Sequence, residues 1–211
     1  VGHSNLGLAD ALRRRVLDGE MRFYGIRHEG AAAFAASAYG KLTGKPAACL
    51  TIAGPGATNL LTGLWDAKVD RAPVLALTGQ VQTQVFGPGA FQDIDLASAF
   101  DAVSRFSQTV LASSNHAELT SLAMKSALVE QDVAHLIFPD DVQTIPSAAA
   151  AKGPEGRLGS PAIRPADDDL AKAVSMLASA KGPVIIIGPL ALASMLTCLL
   201  YTSPSPRDGD E

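Results

Sequence analysis

The sequence contains little that could crosslink the chain or attract a polyanion. Its 211 residues include two cysteines, Cys49 and Cys198, too few for a disulfide framework, so we expect a reducing, cytoplasmic location. Only 18% of the residues are charged and the net charge is −4, without a basic stripe, which argues against a nucleic-acid partner. The chain is nevertheless 47% hydrophobic, which is enough to bury a substantial core.

One uncharged segment is long enough to cross a membrane. Residues 182–201 are mostly apolar, and a span needs about 20 such residues. However, Gly188-Pro189 interrupts the segment and the β-branched run 184–187 begins it, which favours a buried strand, a turn and the start of a helix. We therefore predict no membrane span.

The two ends of the chain are unusual. Residues 198–208 resemble the translated sequence of a transposase sequencing adapter, so we interpret residues 198–211 as an artefact outside the fold. The chain opens without Met and without a charged-then-apolar leader. We therefore expect no signal peptide and a start inside a longer gene product.

Helical and strand patterns alternate along the rest of the chain. The predicted helices are 6–17, 29–41, 57–69, 115–130 and 166–180, and the predicted strands are 21–26, 47–52, 73–78, one within 101–110, and 134–138. Strands separated by helices indicate an α/β fold, with a doubly wound, mainly parallel sheet and helices on both faces. Ligands of such sheets bind beyond the carboxyl ends of the strands. Three predicted loops lie there: 27–29, 54–59 and 79–92.

Familiar nucleotide and metal motifs are incomplete. The segment Gly54-Pro-Gly-Ala-Thr-Asn59 begins like G-x-G-x-x-G but has Asn at the third glycine, and the next predicted strand ends without the expected carboxylate. Gly40 and Gly44 are one residue too close for a P-loop. The four histidines show no metal-ligand spacing, so we predict no metal site in this chain. Nucleotide binding stays open as an alternative.

Glu29 has an unusual position. It follows a predicted strand and Arg27-His28, and it opens a helix of small apolar residues. Its carboxylate could simply complement the helix dipole, worth about 0.3–1 kcal/mol. Alternatively, it lies in a dry pocket where desolvation raises its pKa enough to share a proton with a ligand nitrogen. Spacing alone leaves both interpretations open.

An ordered set of short segments resembles one enzyme family. The segments are Arg27-His28-Glu29, Lys41-Leu-Thr-Gly44-Lys45, Gly54-Pro-Gly-Ala-Thr-Asn59, Asp66-Ala-Lys68, Ala72-Pro-Val-Leu-Ala76, Gly79-Gln80-Val81 and Phe91-Gln92-Asp93. Together they resemble the pyrimidine-binding N-terminal domain of thiamine-diphosphate-dependent 2-oxo acid enzymes. The similarity is first to pyruvate oxidases and quinone-dependent pyruvate dehydrogenases, and next to acetolactate synthases.

The resemblance implies a cofactor site. Glu29 would be the catalytic residue and would bind the ring nitrogen of the aminopyrimidine of thiamine diphosphate. The positions implied to bind the cofactor are Gly2, Ser4, Glu29, Pro55 and Asn59. Phe91 and Gln92 would face the substrate.

The implied reaction is decarboxylation of a 2-oxo acid such as pyruvate. The thiazolium of the cofactor would be the electron sink, and oxidation of the resulting enamine would follow. Acetolactate synthases usually carry a Thr-Lys pair where this chain reads Ser104-Arg105-Phe106-Ser107-Gln108, which favours the oxidase or dehydrogenase branch. A carboligase of the acetolactate synthase type and a non-catalytic homologue stay open as alternatives.

The resemblance also implies domains and partners. Residues 1–142 would form the pyrimidine-binding domain without its first strand, 143–165 a linker, and 166–197 the truncated start of a central α/β domain. A C-terminal domain absent here would hold Mg²⁺, and FAD binding is an expectation for the central domain. The site would lie between two subunits of a homodimer or homotetramer.

Overall fold

A sheet of four parallel strands organises this computed structural model, which describes residues 1–146 and 164–184. The strands are β1 (Ala47–Thr51), β2 (Val74–Gln80), β3 (Phe106–Thr109) and β4 (Val133–Pro139). Their order in the sheet is β1-β2-β4-β3, and every neighbouring pair is parallel. The carboxyl ends of the strands therefore meet at one edge, as predicted for an α/β fold.

The helices connect these strands. They are α1 (Leu6–Leu17), α2 (Glu29–Thr43), α3 (Pro55–Thr58), α4 (Leu61–Val69), α5 (Leu96–Asp101), α6 (His116–Glu130) and α7 (Asp167–Ser179), with 3-10 turns at His3–Asn5 and Thr83–Val85. Two of the helices end at a residue in the left-handed conformation: α2 ends at Gly44 and α6 ends at Gln131. None of the helices in the described ranges is both long and apolar enough to span a membrane.

Helices cover both faces of the sheet. Side chains alternate along β2, so Val74 and Ala76 belong to a cluster that also contains Leu64 of α4. Leu75 and Leu77 belong to the opposite cluster, which contains two alanines of α6. This arrangement confirms the predicted fold class.

A stacked aromatic pair lies in the core on the side of the sheet that α4 covers. The rings of Phe100 and His135 are 3.8 Å apart and nearly parallel, and both side chains are fully buried. His135 Nε2 hydrogen-bonds Thr78 Oγ1 at 2.8 Å and its Nδ1 hydrogen-bonds Ser107 Oγ at 2.9 Å. Burial lowers the pKa of His135 to about 3. A neutral histidine therefore links β2, β4 and β3.

Two secondary-structure predictions are wrong, and one helix was not predicted. Residues 21–26 form no strand, because β1 is hydrogen-bonded to β2 alone and no described strand lies beside this exposed segment. The predicted helix 57–69 is two helices, α3 and α4, separated at Asn59 and Leu60. The short helix α5 has no prediction that corresponds to it.

Part of the predicted domain organisation lies outside the described residues. Residues 185–201 of the uncharged segment and the adapter-like residues 198–211 are not described, and neither are residues 147–163 of the predicted linker. α7 matches the predicted helix 166–180 closely. The boundaries 1–142, 143–165 and 166–197 stay predictions.

Candidate functional site

Two packed helices bring the predicted catalytic carboxylate to the loop edge of the sheet. α2 begins at Glu29 because His28 before it is extended and its Nδ1 accepts a hydrogen bond from a first-turn N–H at 3.1 Å. α4 packs against α2 so closely that a Cβ on Gly63 would lie 2.6 Å from Ala33 Cβ. The helix start at Glu29 therefore has a fixed neighbour at Asn59, just before α4.

A charge cluster fixes the spacing of the same two helices farther along. Lys41 of α2 forms ion pairs with Asp66 at 2.7 Å and Asp70 at 2.5 Å, and Ser37 donates to Asp66 at 2.7 Å. Partial burial raises the pKa of Asp66, but the hydrogen bonds from Lys41 and Ser37 outweigh it and hold the pKa below its usual value of 3.8. Asp66 therefore remains ionised at neutral pH, and its bonds to Lys41 and Ser37 support the α2–α4 pair.

Glu29 and Asn59 are in direct contact. Asn59 Nδ2 donates to Glu29 Oε2 at 3.1 Å. The chain reaches this point through Gly54, whose φ of 67° is left-handed, and through Pro55, which is exposed at the first position of α3. A Cβ on Gly56 would lie 3.5 Å from Glu29 Oε1. The carboxylate therefore lies in contact distance of a residue without a side chain, and the side chain of Ile52 packs against that residue.

The pKa of Glu29 lies below its usual value of 4.5. Its own backbone N–H hydrogen-bonds the carboxylate and Asn59 adds a second bond, and the two outweigh the effect of limited burial. Of the two interpretations left open for Glu29, the described residues by themselves favour a charged carboxylate at the helix start over a dry pocket with a raised pKa. The carboxyl group is half-buried and hydrogen-bonded in its charged form.

Ile52 is a site residue that the sequence analysis missed. Its side chain lies between two glycines: a Cβ on Gly2 would be 2.8 Å from Ile52 Cγ2, and a Cβ on Gly56 would be 2.7 Å from Ile52 Cγ1. The structure thus brings Gly2 to the same place as Gly56. The sequence feature that could have identified Ile52 was its position, since it is the last residue of a predicted strand and lies two residues before the glycine turn.

Ser4 and Asn5 form a buried support beneath this site. Ser4 is fully buried and its Oγ accepts a hydrogen bond from the Ala53 N–H at 2.9 Å, so the structure places it under the glycine turn. A Cβ on Gly79 would lie only 2.3 Å from the Ser4 carbonyl oxygen. Asn5, which the sequence analysis did not select, accepts a hydrogen bond from the Gly2 N–H at 2.9 Å. Its Nδ2 is buried without a partner.

The two predicted substrate-facing residues have different surroundings. Gln92 is left-handed, with φ 67°, and lies against Gly54, where a Cβ would be 2.7 Å from Gln92 Cβ. Its Oε1 is buried without a partner, which is costly unless a ligand or water donates to it. Phe91 is 83% exposed, and no described contact joins it to Glu29.

Comparison with known proteins identifies the family. Residues 1–99 match the model of the thiamine pyrophosphate enzyme, N-terminal TPP binding domain. Residues 1–99 thus place this chain in the thiamine pyrophosphate enzyme family. Thiamine pyrophosphate is thiamine diphosphate, so the resemblance on which the sequence analysis relied is confirmed.

The relatives that match this chain are much longer than the parts that align with it. YdaP of Bacillus subtilis, named as a thiamine pyrophosphate-containing protein, is 38% identical over 171 residues, covering 80% of this chain and 29% of YdaP. An acetolactate synthase of Arthrospira platensis is 50% identical over 95 residues, 45% of this chain and 16% of that protein. An acetolactate synthase of Bacillus subtilis is 36% identical over 164 residues, 77% of this chain and 28% of that protein. The chain therefore spans a minor part of each relative.

The described residues fit one end of the cofactor and no metal ion. The Glu29 carboxylate beside Gly56 and the unpartnered Gln92 Oε1 are hydrogen-bond acceptors that suit the N–H groups of a small polar ring. Within residues 1–146 and 164–184, no group of three or more His, Cys, Asp or Glu side chains could hold a metal ion. These described residues therefore offer no site for Mg²⁺.

Replacing Asn59 with Ala is expected to raise the pKa of Glu29, because it removes one of two hydrogen bonds to the carboxylate. A lowered folded-state pKa contributes stability above the usual value of 4.5, and that contribution disappears as the pH falls through the folded-state pKa. The variant's loss of unfolding free energy should thus be largest at neutral pH and shrink in acid. A ¹³C NMR titration of Glu29 checks the shift, with exposed Thr62→Ala on α4 as the control. An unchanged or lower Glu29 pKa would contradict it.

Proposed function

We propose that this chain holds the aminopyrimidine end of thiamine diphosphate for decarboxylation of a 2-oxo acid. The observation that supports this most directly is the Glu29–Asn59 pair, joined at 3.1 Å beside Gly56. When bound, thiamine diphosphate supplies the electron sink for loss of carbon dioxide.

Glu29 is proposed to bond a ring nitrogen of the cofactor. In the open site its carboxylate is charged and accepts hydrogen bonds, and Asn59 orients it through Oε2. A bound ring, covered by another part of the protein, would exclude water from the carboxyl group. Such desolvation raises a carboxyl pKa, which would let Glu29 hold or release a proton.

Ile52 and the two glycines beside it are proposed to form the platform for the ring. Branched Ile52 fills the space that Cβ atoms on Gly2 and Gly56 would occupy. Gln92 would accept a hydrogen bond at its unpartnered Oε1 from the cofactor or substrate. Pro55 starts the turn that carries this platform, and Ser4 supports the same turn. Phe91 is exposed, so its side chain would contact a substrate only once a substrate or a partner covers it.

We propose the oxidative branch, with pyruvate as a representative substrate, because residues 104–108 lack the lysine expected of acetolactate synthases. The acetolactate synthase relatives support a carboligase as the second candidate. We also propose that the longer protein binds Mg²⁺ and FAD outside this chain's described residues and forms a homodimer or homotetramer. The partial exposure of Glu29 supports completion of the site by another domain or subunit.

Glu29→Gln is expected to weaken binding of thiamine diphosphate about 10- to 100-fold, because it removes the charge from a hydrogen bond between a carboxylate and the ligand. The measurement is an NMR titration of the ¹⁵N-labelled chain with millimolar thiamine diphosphate, following the Glu29 and Asn59 amides. Glu130→Gln, exposed at the end of α6, is the matched control and should bind normally. Wild-type protein whose Glu29 and Asn59 signals do not respond would overturn the proposal.

A further inference from the structure

Gln143 connects two regions that are far apart in sequence. Its side-chain Oε1 accepts a hydrogen bond from the Leu8 N–H at 3.1 Å. Its Nε2 donates to the Ser4 carbonyl oxygen at 2.8 Å and to the Phe138 carbonyl oxygen at 2.9 Å. One amide thus joins the end of β4 to the start of α1.

These bonds use both N–H groups of the Gln143 amide and accept one bond at its oxygen, so its hydrogen-bonding capacity is well matched. A glutamate at this position would keep an acceptor for Leu8 but would have no donor for either carbonyl. The backbones also approach closely, since a Cβ on Gly7 would lie 2.9 Å from Gln143 Cβ. The contact between these two segments therefore requires a glutamine, whose side chain has the right length and both donates and accepts hydrogen bonds.

The loop that Gln143 holds leads directly to the candidate site. Ser4, whose carbonyl accepts from Gln143, also accepts the Ala53 N–H at its hydroxyl. Ala53 precedes the glycine turn whose Gly56 lies beside Glu29. Asn5, next to Ser4, holds the Gly2 N–H. Gln143 thus lies two hydrogen-bonded steps from the turn that carries Gly56.

The turn after β4, which carries Gln143, also holds a second loop. Asp141 accepts hydrogen bonds from the Thr83 N–H at 2.9 Å and from Thr83 Oγ1 at 2.5 Å. Thr83 begins the 3-10 turn in the loop that leads to Gln92. The residues after β4 therefore contact both loops that carry candidate site residues.

We propose that Gln143 is a positioning residue for the thiamine site: it holds Ser4 in place and so fixes the Gly2–Asn5 loop and the glycine turn. It touches neither ligand nor Glu29 in this role. The proposal rests on the proposed function, because the site that it positions is the pyrimidine site.

Gln143→Leu tests the proposal, because leucine has a similar size and no hydrogen-bonding atoms. Amide hydrogen exchange should become about tenfold faster at Asn5, Leu8 and Ala53, since each lost bond permits local opening. Amides in the centre of β2 and β4 should keep their wild-type exchange rates. Thiamine diphosphate should bind about five- to tenfold more weakly in the NMR titration.

Two further variants define the outcome. Gln143→Glu should weaken binding while keeping more protection at Leu8 than Gln143→Leu, because one acceptor remains. Gln108→Leu, exposed on β3, is the matched control and should behave as wild type. Uniformly faster exchange throughout the sheet would show a general loss of stability and would overturn the positioning role. Unchanged affinity in both Gln143 variants would also overturn it, whereas wild-type protein that does not bind would overturn the proposed function itself.

Discussion

Replacing Phe100 with Ala is expected to lower the free energy of unfolding by about 3–5 kcal/mol. Phe100 is fully buried and stacks on His135, so its removal takes apolar surface from the core and leaves a cavity beside the ring. The hydrogen bonds of His135 to Thr78 and Ser107 would persist, but one face of its ring would lose its packing partner. Chemical denaturation at neutral pH measures the change.

Two controls accompany this substitution. Phe100→Leu keeps most of the buried volume and should cost less than about 1.5 kcal/mol, so it gives a measurable value if the alanine variant does not fold. Phe91→Ala changes a side chain that is 83% exposed and should alter stability by no more than about 0.5 kcal/mol. A Phe100→Ala protein nearly as stable as the Phe91→Ala protein would show that this stack does not hold the sheet together.

Replacing Gly79 with Ala is expected to destabilise the protein by about 1–3 kcal/mol and to displace the N-terminal loop. Gly79 lies in β2 without a positive φ, so its backbone accepts alanine. The obstacle is that the new Cβ would lie 2.3 Å from the Ser4 carbonyl oxygen. Either the strand or Ser4 must move, and movement of Ser4 would also break its bonds to Ala53 and Gln143.

The test combines unfolding free energy with hydrogen exchange at Asn5 and Ala53. Gly25→Ala is the matched control, because a Cβ there meets nothing within 4 Å and the residue has no positive φ. If the Gly79 and Gly25 variants prove equally stable, with equal exchange at Asn5, the loop does not depend on close packing against β2.

Local patterns predicted most of the framework. The run 73–78 is continuously apolar, and it forms the fully buried strand β2 because helices cover both faces of the sheet. The helix that opens at Glu29 and stops at Gly44 has a carboxylate in its first turn and a glycine after its last, both of which can be read without coordinates. The failure at residues 21–26 has a different origin, since a strand requires a neighbour to pair with and not only suitable side chains.

The site could be predicted only in part. Glu29, Asn59 and Gln92 belong to short segments whose order resembles one family, so the family could be recognised residue by residue. Ile52 and Asn5 could not be found in this way. Their contacts with Gly2 depend on where the N-terminal loop lies against the end of β1, and no local pattern reports that distance.

The sequence by itself determined the α/β class, the family and the identity of the carboxylate at the helix start, because periodicity and ordered motifs are local properties of the chain. Only the tertiary structure decided that the pKa of Glu29 is lowered, because the shift depends on two hydrogen bonds and on incomplete burial. It also decided the hydrogen bonds of Gln143, whose partners Ser4 and Leu8 lie more than 130 residues away. Contacts between distant segments set both properties, and such contacts exist only once the chain has folded.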